Sequence, residues 1–169
     1  MGGGNSFAQD ASSRVDISCP CGNVIWRTRE AVPRTHYECA CRDCSERLEW
    51  AVSQGAQSTA ITDQGPAHMV QVGNSFTEIV GKENLKLYKV RADSKATMFV
   101  ADCCKSVMTL LHPAMGNNLA GFCGDLCKIN SPKYELTNEN MLCRWHTRSW
   151  DKKRDAEAYD ELPPFSGGP

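Results

Sequence analysis

The sequence predicts a mainly β protein made of short antiparallel strands, and three observations support this fold class. Apolar and β-branched residues occur in short runs, mostly four to seven residues long, which is typical of strands. Gly, Asn, Asp or Pro separates these runs. Only one segment of the 169-residue chain has a helical pattern.

The predicted strands follow one another in chain order, and turn-forming residues bound them. The first run leads into the sequence Cys-Pro-Cys-Gly, and the helical segment CSERLEWAVS (44–53) stands between the third and fourth runs. The runs are RVDIS (14–18), NVIWRTRE (23–30), THYECAC (35–41), HMVQV (68–72), FTEIV (76–80), LKLYKV (85–90), ATMFVA (96–101), VMTLL (107–111) and LAGF (119–122).

The chain length suits one compact domain with tails. Residues 1–13 are rich in Gly, Ser, Asn and Gln, and we expect a flexible leader there. Apolar periodicity ends near residue 150, so we place the domain at 14–150 and an exposed tail at 151–169. Gly2 and Ser6 match the myristoylation pattern, but no Lys or Arg precedes Arg14 to supply a second anchoring signal, and a plain leader is favoured.

Composition excludes several classes of function. The net charge is −1, which does not favour nucleic-acid binding. No apolar run approaches the roughly 18 residues that span a membrane, and the first ten residues do not form a secretory signal. We therefore expect a cytoplasmic protein, where ten cysteines indicate metal ligands or catalytic thiols before disulfides.

The first cysteine cluster is Cys19-Pro20-Cys21-Gly22. Two residues apart on an extended segment, Cys19 and Cys21 project to the same side, and Gly22 allows the chain to turn directly afterwards. Structural zinc takes four ligands, so this pair needs two more from far along the chain. The adjacent Cys103 and Cys104 are the candidates, and one of them is expected to join Cys19 and Cys21 as a ligand, because neighbouring side chains on a strand diverge.

The second cluster is Cys39-Ala40-Cys41-Arg42-Asp43-Cys44. Its three cysteines can occupy one side of a tetrahedron, and three protein ligands with an open fourth position are typical of a catalytic zinc site. Three thiolates weaken zinc as an activator of water but leave it a good binder of soft ligands. This cluster therefore predicts chemistry on the sulfur of a small thiol.

The remaining cysteines and the histidines are weaker candidates. Cys123 and Cys127 could bind metal, pack in the core or form a reversible dithiol, whereas Cys143 stands alone and suits a buried hydrophobe. The histidines are scattered, and each is expected to be a surface or hydrogen-bonded residue rather than a ligand. They are His36, His68, His112 and His146.

The order C-x-C-G, then C-x-C-x-x-C, then an aromatic residue before a late cysteine resembles the glutathione-dependent formaldehyde-activating enzyme family, which includes a centromere-protein branch. The resemblance covers roughly residues 15–125 and implies a β-tent fold with two zinc sites. It implies a structural zinc on Cys19, Cys21 and a late pair, and a catalytic zinc on the 39–44 cluster. The implied activity is a carbon–sulfur lyase reaction that joins glutathione to formaldehyde.

The sequence departs from the family pattern at the late pair. Val100 stands where the first cysteine of that pair is expected, and Cys104 stands where a glycine is expected. Three alternatives follow for the fourth ligand: Cys104 substitutes through a bent backbone, Asp102 supplies an oxygen, or the site holds no metal. Ala40 also replaces a frequent family histidine, which indicates a divergent member with one or two zinc ions per chain.

Three functions follow from these patterns. The first is a zinc-dependent carbon–sulfur lyase or synthase acting on a small, glutathione-like thiol and an electrophilic carbon such as an aldehyde, with Arg42 as a candidate contact for a substrate carboxylate. The second is a non-catalytic, zinc-stabilised binding module. The third is a thiol redox sensor that uses Cys103–Cys104 or Cys123/Cys127.

Overall fold

The computed structural model describes residues 13–39, 42–57, 67–116, 118–135 and 143–145. Among them the chain is mainly β, as predicted, with one α-helix. The helix α1 spans Arg42–Ser53. The strands are β1 Asp16–Ser18, β2 Ile25–Thr28, β3 Thr35–Cys39, β4 Ala67–Gly73, β5 Phe76–Val80, β6 Leu85–Tyr88, β7 Thr97–Ala101, β8 Ser106–Leu111, β9 Leu119–Cys123, β10 Lys128–Asn130 and β11 Cys143–Trp145.

The strands form two sheets. The small sheet has the order β10-β1-β2-β5, and the large sheet has the order β11-β3-β4-β9-β8-β7-β6. Every strand pair is antiparallel except β11 with β3, which is parallel. The large sheet therefore places β3, β4 and β9 side by side, and these strands carry several of the candidate residues.

The two sheets pack against each other through an aromatic cluster centred on Trp26. Its ring lies edge-on to Phe76 at 4.9 Å, Phe122 at 5.6 Å and Phe99 at 5.8 Å between ring centres. Edge-to-face contacts at this spacing are favourable, because the positive edge of one ring meets the negative face of the other. Strand β2 is thereby fixed to β7 and β9.

Helix α1 packs on the other face of the large sheet. Successive residues of a strand point to opposite faces, so Phe122 faces the small sheet while Cys123 faces α1. Leu48 and Ala51 of α1 join Cys123 in this second core cluster. The fold therefore has three layers, which are the small sheet, the large sheet and the helix.

Arg91, in the connection between β6 and β7, holds the first turns of α1 in place. Its guanidinium donates to Asp43 Oδ1 at 2.5 Å and to Glu46. Ser94 Oγ also donates to Asp43, at 2.9 Å. Burial raises the pKa of Asp43, but the hydrogen bonds from Arg91 and Ser94 outweigh it and keep this pKa below its usual value.

Nine predicted strands and the predicted helix all have counterparts, with shifted ends. Strands β10 and β11 were not predicted, because these short segments depend on pairing with β1 and β3. Residues 1–12 of the predicted leader and the predicted tail at 151–169 lie outside the described residues. Among the described helices, none has the length and apolar character needed to cross a membrane.

Candidate metal centre

Four cysteines from two turns meet at one edge of the interface between the sheets. Cys19 and Cys21 lie in the turn that joins β1 to β2, and Cys103 and Cys104 lie in the turn that joins β7 to β8. Their Sγ atoms are all within 4.8 Å of one another. Cys21 and Cys103 are exposed and Cys19 is buried, so the group lies at the protein surface.

The sulfur geometry fits a tetrahedral metal ion. The Sγ of Cys19 is 3.4 Å from that of Cys21 and 3.9 Å from that of Cys103, and Cys21 and Cys103 are 3.3 Å apart. Four sulfurs bound to zinc at about 2.3 Å would lie about 3.8 Å apart. The residues present therefore fit a four-thiolate metal site.

Backbone N–H groups donate hydrogen bonds to two of these sulfurs, and such bonds favour the thiolate form. The N–H of Val24 donates to Cys19 Sγ at 3.3 Å. The N–H of Asn23 donates to Cys21 and is the main reason that the pKa of Cys21 falls to about 7. Burial raises the pKa of Cys103 and Cys104, so these two keep their protons until a metal ion displaces them.

The structure shows how the adjacent Cys103 and Cys104 are placed relative to Cys19 and Cys21. They lie in a turn and not on a strand, and the turn bends at Lys105, whose φ is +59°. The N–H of Cys104 closes the turn on Ala101 O at 3.2 Å. Both Cys103 and Cys104 therefore reach the group, so the expectation that only one would do so, drawn from strand geometry, does not hold here.

Val100 and Asp102, the other two residues considered for this site, do not belong to the four-cysteine group. Val100 is fully buried in the cluster under α1, on the face of β7 turned away from the four cysteines. Asp102 forms ion pairs with Lys86 at 2.5 Å and with Lys105, so its carboxylate is engaged by two cations. Cys104, and not Asp102, is the fourth member of the group.

The second cysteine cluster is described in part. Cys39 ends β3 and Cys44 lies in the first turn of α1, and both are buried in the same core cluster. Nη1 of the buried Arg47 donates to Cys44 Sγ at 3.5 Å. A guanidinium favours the anionic form of the sulfur that it contacts, which here is that of Cys44. Cys41, Ala40 and the side chain of Arg42 lie outside the described residues.

Cys123 and Cys127 belong to different core clusters. Cys123 lies with Cys44 under α1, whereas Cys127 packs between the sheets, where its Sγ is 3.8 Å from Met108 Sδ. Burial raises the pKa of both thiols. Both cysteines are free thiols buried in the core, which favours the packing interpretation over a reversible dithiol.

Sequence reasoning missed two functional features. Arg47 follows Cys44 by three positions on α1, a spacing that places the two side chains on one helix face and could have pointed to their contact. The histidines were expected to be scattered, yet the antiparallel register of β3 and β4 brings His36, Glu38 and His68 together. Only that register, which the sequence does not encode locally, reveals this polar group.

The fold and the four-cysteine group define a mainly β protein with a candidate metal centre that joins its two sheets. Comparison of the chain with known protein families, with curated proteins and with solved structures found no match.

Proposed function

We propose that this protein is a zinc-dependent carbon–sulfur lyase or synthase that acts on a small thiol and an electrophilic carbon. Two zinc sites with different tasks are part of the proposal. The four-cysteine group holds a structural ion, and Cys39, Cys41 and Cys44 form an open, reactive site.

Zinc is the metal that the four-cysteine group favours. Four thiolates in a tetrahedral arrangement are typical of structural zinc sites, which keep no open position. Soft sulfur ligands also disfavour magnesium and calcium, which take oxygen. The sulfur distances and the amide hydrogen bonds to Cys19 and Cys21 support this assignment.

The observation that carries the second site is that Cys39 and Cys44 are buried in one core cluster and that Cys44 contacts a buried cation. The end of β3 and the first turn of α1 deliver the two sulfurs to one cluster, and Arg47 donates to Cys44. Zinc held by these two residues and Cys41 would keep an incoming thiol deprotonated at neutral pH. The chain contributes the positive charge of Arg47, which offsets part of the negative charge of three thiolates.

The proposed reaction involves no net oxidation. In the joining direction, the thiol sulfur forms a bond to the aldehyde carbon, the carbonyl π bond opens, and the thiol proton ends on the carbonyl oxygen. The product is a hemithioacetal, and the reverse reaction releases thiol and aldehyde. Glutathione with formaldehyde is the first pair to test, because the cysteine spacing resembles that of a family acting on these compounds.

The experiment measures the exchange between glutathione, formaldehyde and S-hydroxymethylglutathione by NMR, with zinc-loaded protein in catalytic amount. We expect the wild-type protein to accelerate the exchange well above the uncatalysed rate. Cys41→Ser should abolish this acceleration and reduce bound zinc from about two ions per chain to about one.

Cys127→Ala is the matched control, because it removes a buried cysteine that packs between the sheets and is not assigned to either site. It should retain both zinc ions and the exchange rate. Unchanged acceleration in Cys41→Ser, or no acceleration by the zinc-loaded wild-type protein with a panel of thiols and aldehydes, would contradict the lyase proposal.

A second candidate function is a non-catalytic, zinc-stabilised binding module. It is favoured by the low exposure of the sulfur residues, which is 4% for Cys39 and 6% for Cys44. A closed second site needs a fourth protein ligand, and Cys123 of the same cluster is the candidate. If Cys123→Ala loses one zinc ion to a chelator that the wild-type protein resists, the site is closed and the binding module is the better interpretation.

A further inference from the structure

A polar group made of His36, Glu38 and His68 lies on the face of β3 and β4 opposite Cys39. His36 and Glu38 are two residues apart on β3, so they share one face, while Cys39 points to the other. His68 of β4 is directly paired with Glu38 in the antiparallel register. Tyr134, beyond β10, contacts His36 from outside the sheet.

The distances make this group a compact set of nitrogen and oxygen donors. His68 Nε2 lies 3.4 Å from Glu38 Oε1, and the rings of His36 and His68 are 5.8 Å apart between centres. Two ligand atoms on one zinc-like ion at about 2.1 Å lie roughly 3 to 3.5 Å apart, and two bound imidazoles have ring centres roughly 5 to 6 Å apart. Both observed distances fall in these ranges.

His36 is the least satisfied member of the group. Its side chain is 1% exposed, and its Nδ1 is 3.1 Å from the hydroxyl oxygen of Tyr134. Its Nε2 is buried, with no hydrogen-bond partner among the described residues. Buried polar atoms are nearly always paired, so this nitrogen is available to a water molecule or a metal ion.

The chemical state of His36 suits metal binding. Burial, helped by the neighbouring His68, lowers the pKa of His36 to about 4, so the ring is neutral at pH 7. When Nδ1–H donates to the Tyr134 oxygen, Nε2 carries the free lone pair. This hydrogen bond selects the tautomer in which Nε2 is the atom available to a metal ion.

We propose that His36, Glu38 and His68 bind a divalent transition-metal ion such as Ni²⁺, Cu²⁺ or Zn²⁺. Imidazole and carboxylate donors suit these ions. Among the described residues only the four cysteines have all donor atoms within 4.8 Å of one another, so the His36 ring turns toward Glu38 and His68 on binding. This site is separate from the cysteine centres and does not depend on thiol chemistry.

Two neighbouring features support the site. Asp125 Oδ2 accepts the backbone N–H of His68 at 2.7 Å, which fixes the start of β4 and adds negative charge beside the His68 ring. Residues 129–135 line an open cavity of about 630 Å³ that reaches Tyr134, the residue in contact with His36.

The test is a calorimetric titration with Ni²⁺ of the untagged protein loaded with only as much zinc as the cysteine sites hold, so that those sites are filled and the histidine site is not. We expect one Ni²⁺ per chain beyond the zinc content and a rise of the melting temperature on binding. His68→Gln and His36→Gln should each weaken Ni²⁺ binding by at least about 100-fold and remove the stabilisation.

His112→Gln is the control, because His112 lies in the connection after β8, away from this group. It should bind Ni²⁺ as the wild-type protein does. His36 is fully buried, so if His36→Gln does not fold, the result with the partly exposed His68 decides. The proposal is overturned if the wild-type protein binds no additional Ni²⁺, if His68→Gln binds it unchanged, or if His112→Gln loses it as well.

Discussion

At the scale of single residues, the two neighbouring histidines on β3 and β4 respond to pH in opposite ways. The hydrogen bond that the His68 ring donates to Glu38 raises the pKa of His68 against the effect of burial. The contribution of His68 to stability is therefore present below its unfolded pKa and is lost as pH rises through the folded value. Burial lowers the pKa of His36 to about 4. His36 therefore lowers the stability of the folded protein as pH falls, because the unfolded chain binds a proton at a pH where the folded chain does not.

The first prediction concerns the acid stability set by His36. Between pH 6.5 and about 4 the unfolded state takes up a proton at this position and the folded state does not, which costs the wild-type protein about 3 kcal/mol of unfolding free energy over that range. His36→Gln should lack this loss. Urea unfolding at pH 7 and pH 4.5 measures the difference, with His112→Gln as the control.

The same pH dependence in His36→Gln and in the wild-type protein would contradict this assignment. Both proteins carry only as much zinc as the cysteine sites hold, so that the change of zinc binding with pH at those sites is common to the two proteins and cancels in the comparison.

At the scale of secondary-structure elements, strand β7 separates the metal centre from the helical core. Val100 faces the core under α1, whereas the turn after β7 carries Cys103 and Cys104 to the four-cysteine group. The register of β7 against β8 shifts between Phe99 and Val100, which is where the strand departs from regular pairing. The position of a residue, on β7 or in the turn after it, therefore decides together with its side-chain type whether it can join the four-cysteine group.

The second prediction follows for Val100. Cys104→Ser should lower the retention of one zinc ion against a chelator, because the group keeps only three sulfurs. The double variant Val100→Cys/Cys104→Ser should not regain that ion, since residue 100 points into the other core cluster. Zinc per chain after dialysis against a chelator measures both effects. Recovery of the lost zinc ion in the double variant would contradict the prediction, because β7 would have to shift its register to bring residue 100 to the cysteines.

The third prediction concerns helix α1. Arg91→Ala removes the hydrogen bonds to Asp43 and Glu46, and the first turn of the helix, which carries Cys44, should then open more often. Hydrogen exchange of the amides at 42–47 should be faster, while the exposed Arg29→Ala leaves it unchanged. Equal exchange in the two variants would mean that packing of Leu48 and Ala51 alone holds the helix.

The elements themselves were predictable, because runs such as HMVQV and FTEIV carry their signal locally. The position of the adjacent cysteines was not, because strand alternation assumes a strand and the chain turns at Lys105 instead. The group of His36, Glu38 and His68 was also beyond local reasoning, since only the β3–β4 register joins residues 30 positions apart in sequence.

At the scale of the whole molecule, the four-cysteine group is a connection between the two sheets. Cys19 and Cys21 come from the hairpin of the small sheet, and Cys103 and Cys104 come from the large sheet. The aromatic cluster around Trp26 also joins these sheets, so a metal ion adds a second, separate attachment. Loss of the metal should therefore affect the small sheet first.

The fourth prediction tests this order of unfolding. Cys21→Ser removes an exposed sulfur without disturbing the core, so the variant should fold but lose the attachment. Backbone amides of β1 and β2 should then exchange faster with solvent, while those of β4 and β9 change little. Hydrogen-exchange mass spectrometry measures this, with Cys127→Ala as the control, and uniform acceleration across both sheets would contradict it.

The separation of the two cysteine pairs in the chain has a consequence during synthesis. Cys19 and Cys103 are 84 positions apart. A ribosome adding about 5 to 20 residues per second leaves the first pair without the second for roughly 4 to 17 s. During that interval only two sulfurs are available to hold an ion, so tight capture begins when the β7–β8 turn emerges. The rate of translation therefore sets how long the nascent chain presents an exposed dithiol to oxidants and to competing metals.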